Sequence, residues 1–119
     1  MCPQKSTDWL YYEYFPEARR VDLQDFWSPE QTVEVMKTAG FVAVVADYEH
    51  IHFEQNLPEW FDIVRRRDTC SQLQAISDAA YQAGVKRLEH DIGDPNTPSS
   101  RKNHLCMVTI RSEAPDAGA

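Results

Sequence analysis

The chain has 119 residues, which suits a single domain, and 42% of them are apolar, enough for a modest core. Nineteen acidic against twelve basic side chains give a formal net charge of -7. That balance favours solubility and works against binding a nucleic-acid backbone or an anionic membrane surface, both of which need clustered Lys and Arg.

Residues 1–8 have no apolar stretch of the signal-peptide kind and read as loosely ordered. No run in the chain approaches the roughly 18 apolar residues of a membrane helix. Cys2, Cys70 and Cys106 are odd in number and widely spaced, without metal-ligand spacing. A reducing compartment is the simpler expectation, and the cytoplasm fits it. Trp9 to Phe15 is strongly aromatic and stops at Pro16; its pattern suits either a short strand or a helical turn. In 17–27, Val21 and Leu23 alternate with polar residues, which predicts a brief extended segment. Phe26 and Trp27 stand just before Ser28, placed to staple the start of a helix.

Residues 28–45 are the best-defined stretch. Ser28 is a good N-cap, Pro29 suits the first helical position, and Gln31 completes a capping box. Thr32, Val33, Met36 and Ala39 form one modestly apolar face, and Gly40 can end the helix in the left-handed conformation. Phe41 to Val45 is apolar and β-branched, which predicts a central strand buried on both faces. Further on, His50 and His52 fall on one strand face and Ile51 and Phe53 on the other. A turn is expected at 54–57, then a helix from Pro58 to about Asp68 with Leu57, Trp60, Phe61 and Val64 on one face. Arg65, Arg66 and Arg67 close it at the end that favours cations.

Thr69 or Ser71 can cap a short helix carrying Leu73 and Ile76. Ser77-Asp78 restarts the chain into a third helix to about 91, with Ala80, Tyr81, Val85 and Leu88; Gly84 weakens its continuity. Asp94 to Arg101 is a turn-rich loop, His104 to Arg111 a second strand, and 112–119 a frayed tail. The expected fold is α/β or α+β in one domain, 1–119, with flexible ends at about 1–8 and 112–119. A small mixed sheet holds strands at about 41–50 and 104–111, with a helix at 29–39 and a helical insertion at about 58–91. Two strands make a poor independent sheet. A strand from 9–24, a second copy or another polypeptide must complete it.

His50 and His52, with Asp47 and Glu49 nearby, suggest a metal, but no local sequence supplies three or four ligands, and no metal site is assigned. Arg65, Arg66 and Arg67 spread around a helix and make a poor one-sided clamp. Cys70 and Cys106 occupy core-like positions with no adjacent base to activate them. For Tyr11, Tyr12 and Tyr14, packing is the plain reading and a ligand-facing aromatic wall the sharper one.

The wording from Tyr14 to His50 resembles the C-terminal part of class I, S-adenosylmethionine-dependent methyltransferases of the ubiquinone/menaquinone type. The matching residues are Phe15, Pro16, Ala18, Asp22, Phe26, Ser28, Glu30, Ala39, Gly40 and Phe41, then Val44 or Val45. Arg66, Ser71, Leu73, Gly84 and Leu88 match the helical insertion between the last two strands of that family, and 104–111 matches its terminal strand. The family's Gly-rich cofactor turn has no counterpart, since Gly40, Gly84, Gly93 and Gly118 stand far apart.

The resemblance implies a methyltransferase-like C-terminal domain without catalytic activity alone, contributing a substrate-binding or dimerisation surface. Tyr11, Tyr12, Tyr14 and Arg66 are the substrate-binding candidates it implies; no catalytic or cofactor-binding residue is assigned. S-adenosylmethionine would be bound only if a missing half completed the fold. Expected partners are a second copy or a separate methyltransferase N-terminal half, together with a small-molecule substrate. The alternative is a small homodimeric interaction or ligand-binding module unrelated to methyl transfer.

Overall fold

The computed structural model describes residues 1–6 and 8–114, and its fold is built from helices and one antiparallel two-stranded sheet. Ser28 starts the part that local signals define best. Its hydroxyl accepts from Gln31 N at 3.1 Å while Gln31 Oε1 accepts from Ser28 N at 2.8 Å, the full reciprocal capping box. The helix it opens, α3 (Pro29–Thr38), ends at Gly40, whose φ of 99° is in the left-handed region. There Gly40 N bonds Lys37 O and Phe41 N bonds Met36 O, satisfying carbonyls at the helix end.

Beyond Gly40 the chain enters β1 (Val42–Asn56), which pairs with β2 (Ser100–Glu113) from Val42 opposite Glu113 to Asn56 opposite Ser100. The pairing slips between Val42 and Val45, where Ala43 takes a φ of 52°, as a bulged strand end would require. Both strands are longer than the apolar runs that announced them, because polar residues continue the ladder at the far end of β1 and at both ends of β2. The expected turn at 54–57 is absent. β1 runs to Asn56, whose side chain accepts from Glu59 N at 2.9 Å and so caps the next helix directly.

The 9–25 region is helical, as α1 (Leu10–Tyr14) and α2 (Pro16–Asp25). Pro16 supplies the first position of α2, and Ala18 and Asp22, four apart, turn inward together, so the Val21/Leu23 alternation does not make an extended segment. After β1 come α4 (Leu57–Val64), a 3-10 turn at Arg67–Thr69, α5 (Ser71–Gln74) and α6 (Asp78–Gly93). Arg67 organises this crossing: its guanidinium donates to Leu73 O at 2.8 Å and also bonds Ile76 O and Asp78. Ser77 caps α6 by accepting from Ala80 N at 3.1 Å. Gly84 does not interrupt α6.

One hydrophobic core joins Leu10, Tyr14 and Phe15 to Leu57, Trp60 and Val64 of α4, and to Leu73, Tyr81 and Leu88. It lies at one end of the sheet. The molecule measures 65 × 28 × 19 Å, so the ribbon extends well past its helical support. Consequently the expectation that 41–45 is buried on both faces fails: Val42 is 50% and Val45 46% exposed. Among the described residues no third strand lies beside β1. Phe26 and Trp27 are likewise exposed rather than stapling α3. The N-terminal segment departs in the other direction. Cys2, Pro3 and Ser6 are buried along β2, where Cys2 N bonds Cys106 O at 2.7 Å and Ser6 Oγ accepts from Cys106 N at 3.0 Å.

Candidate functional site

A cleft of about 920 Å³ opens where the base of the ribbon meets α1, the end of α6 and the loop after it. The loop is shaped by Asp94, which accepts from Asn96 N at 2.9 Å and from Thr97 Oγ1 at 3.1 Å; the Asn96 bond, with Thr97 second, holds its carboxyl below the ordinary range. Leu57 N bonding Ser99 O at 2.8 Å ties the loop to the start of α4.

One wall is a polar relay. Glu13 of α1 pairs with Arg101 of β2 at 2.5 Å, Arg101 donates to the Tyr14 hydroxyl at 3.2 Å, and Tyr14 donates to Asp91 of α6 at 2.5 Å. The Arg87 and Arg101 guanidinium groups lie 5.3 and 5.8 Å from the Tyr14 ring centre. Burial, then the bond to Asp91, raises the Tyr14 pKa, so this hydroxyl stays protonated and works as a donor. Tyr14 is fully buried; only its partners Glu13, Asp91 and Arg101 border the cleft.

The opposite wall carries imidazoles. Strand alternation and pairing place His50, His52 and His104 on one ribbon face, with His52 directly opposite His104. Their rings stack, with centres 5.1 Å apart for His50 and His104 and 4.5 Å for His52 and His104. His50 Nδ1 and His104 Nε2 are 2.8 Å apart, so one ring donates and the other, which must be neutral, accepts. His104 is only 8% exposed; burial first, then His52 and His50, lower its pKa, while Asp8 pulls the other way. Among the described residues no three His, Cys, Asp or Glu side chains converge on a metal-sized point. The imidazoles stack instead of converging.

The residues singled out in the sequence are dispersed. Tyr12 is buried and donates to Asp22 at 2.5 Å, Tyr11 stacks edge-on against Trp60 at 5.1 Å, and Arg66 is exposed beyond α4, away from the cleft lining. Tyr14 alone is tied to the cleft, through the bonds of its hydroxyl to Asp91 and Arg101, which line it. Of the cleft residues, His52 stands out in the sequence by its alternation with His50. Its meeting with His104, 52 positions away, and that of Glu13 with Arg101, 88 positions away, depend on long-range contacts and carry no local signal.

The cleft offers carboxylates at Asp8, Glu13, Glu54 and Asp91, cations at Arg101 and Lys102, and a neutral imidazole at His104. It can hold a small polar molecule and accept a proton from it. Cys106 is buried and its thiol is pushed up by burial, so it is no nucleophile. Compared with protein-family models, with curated proteins and with solved structures, the chain finds no match.

Proposed function

We propose that this chain is the substrate-side, C-terminal unit of a methyltransferase-like protein, binding a small polar substrate without catalysing alone. The observation that carries the reading is the cleft, in which His104, kept neutral by burial, stands beside His52 and near Asp8. A substrate hydroxyl or amine placed there would lose its proton to an imidazole that is a free base at neutral pH. The carboxylates and Arg101 would orient the substrate through its polar groups.

The chain's own residues do not fit S-adenosylmethionine. Gly40 ends α3, Gly84 is packed inside α6 and Gly93 ends α6, so none of these forms a strand–turn–helix cradle. The methyl donor, which supplies an electrophilic carbon on a sulfonium, belongs on a separate polypeptide in this reading. No helix of the described residues is long and apolar enough to cross a membrane, and the cysteines are free; a cytoplasmic location is part of the same proposal.

Calorimetry with S-adenosylmethionine on the isolated chain tests the division of labour, with no saturable binding expected. A dissociation constant in the micromolar range would overturn it. Backbone NMR with a panel of small hydroxylated and amino compounds tests the cleft, with shifts expected to gather at Asp8, His52, Arg101 and His104. Shifts confined to other regions, or none across the panel, count against it.

A further inference from the structure

The geometry points to a second copy of this chain on the outer edge of β1, forming a four-stranded antiparallel sheet across a two-fold axis near Ile51. The inference does not rest on the cleft reading. On β2, the backbone groups of His104 and Cys106 face away from β1, because they bond Asp8 O, Cys2 N and Ser6 Oγ. In an antiparallel ladder the residues opposite them, His52 and His50, then also aim their N–H and C=O groups outward. By alternation Ala46, Tyr48 and Glu54 do the same. Among the described residues none of these outward groups on β1 has a backbone partner, whereas the outer edge of β2 is covered by the chain's own N-terminus. At about 3.3 Å per residue, the open edge from Ala46 to Gln55 is roughly 30 Å long. Between Ala46 and Gln55 it carries neither Lys nor Pro, and its charged side chains are Asp47, Glu49 and Glu54.

Charge narrows the register of self-pairing, and the apolar row through Ile51 and Leu105 selects among the registers that remain. β1 carries Asp47, Glu49 and Glu54 and no Lys or Arg, so self-pairing is tolerable only where acids avoid acids. A two-fold axis at Glu49 sets Glu49 against itself, and one at Tyr48 sets Asp47 against Glu49. With the axis at Ile51, Asp47 meets the partner's Gln55, Glu49 the partner's Phe53, and Glu54 the partner's Tyr48. The same register lines up Leu105, Ile51, the partner's Ile51 and the partner's Leu105 in one apolar row across four strands. Ile51 and Phe53, 36% and 42% exposed in the single chain, gain side-by-side neighbours from the partner strand in that arrangement. On the other face His50 stands beside the partner's His52.

Ile51 would form a non-hydrogen-bonded pair with its symmetry mate, with Cα atoms about 4.5 Å apart, within disulfide range. Sedimentation of the full chain is expected to give a dimer, and Ile51→Cys under mild oxidation a covalent dimer that the unsubstituted chain does not form. Ile51→Lys, which sets two ammonium groups together at the axis, is expected to give a monomer with an unchanged far-ultraviolet spectrum. A monomeric native chain overturns the proposal. So does a dimer that Ile51→Cys fails to cross-link and Ile51→Lys fails to dissociate. Ligand shifts at the cleft are read separately, so loss of one result leaves the other standing.

Discussion

Phe15 and Gly84 meet where no side chain could stand between them. A Cβ at position 84 would lie 2.2 and 2.3 Å from two atoms of the Phe15 ring and 2.7 Å from the Tyr14 carbonyl oxygen. The close approach lets α6 lie directly against the corner joining α1 to α2, with the Phe15 and Tyr81 rings stacked at 6.0 Å.

Gly84→Ala therefore destabilises the fold by about 1–3 kcal/mol, through overpacking that outweighs the better helix propensity of alanine. Gly93→Ala is the control, since nothing lies within 4 Å of its added Cβ. It is expected to be neutral or stabilising by roughly 0.4–1 kcal/mol. Urea unfolding midpoints separate the two. A neutral Gly84→Ala would mean that Phe15 moves aside at little cost.

His104 sets a pH dependence. Its folded pKa is lowered below the ordinary 6.5, so the unfolded chain binds the proton more readily. The contribution is present in full above the unfolded value and is lost as pH falls through about 6.5 toward the folded one. Thermal midpoints should rise from pH 5 to pH 7, and His104→Gln should flatten that rise. An identical profile in the variant would remove His104 as the source.

Tyr12→Phe strips Asp22, a carboxylate only 5% exposed, of its hydroxyl donor. The expected loss is about 1–3 kcal/mol, since an acceptor is left buried and unpaired. In the Tyr12→Phe, Asp22→Leu double variant the loss should be smaller than the sum of the two single effects, as a double-mutant cycle in denaturant would report.

Much of the helical layer was legible because its signals are local. Ser28 with Gln31, Ser77, Gly40 and the Leu57/Trp60/Val64 spacing act within a few residues, and each holds in the structure. What local pattern could not convey was context. Val42 and Val45 have the composition of a buried strand, but burial is decided by neighbours, and the described residues place no third strand beside them. Val21 and Leu23 alternate over too few residues to outweigh Pro16 and the inward pull of Ala18 and Asp22. The cleft was hidden for a similar reason. His52 and His104 are 52 positions apart in sequence, and only the pairing of β1 with β2 makes them face each other.

Ser28→Ala removes one half of the capping box and should cost about 1 kcal/mol. Helix α3 touches the outer part of the ribbon, and its Glu30 reaches the Tyr48 hydroxyl at 3.4 Å. The loss should appear mainly as faster amide exchange in α3 and the adjoining strand ends. Equal acceleration throughout the core would instead mean that α3 unfolds only together with everything else.

The distance between the ribbon's outer end and the Leu10–Leu88 core implies a hierarchy of opening. Near Asn56 and Ser100 the strands are anchored by α4 and the loop after α6, so their amides should exchange only through global unfolding. Near Val42 and Glu113 the same ladder is backed by α3 and little else, and it can unzip from that end while the core persists. Such a molecule has two levels of stability along a single hairpin, and a partner on β1 would raise the lower one.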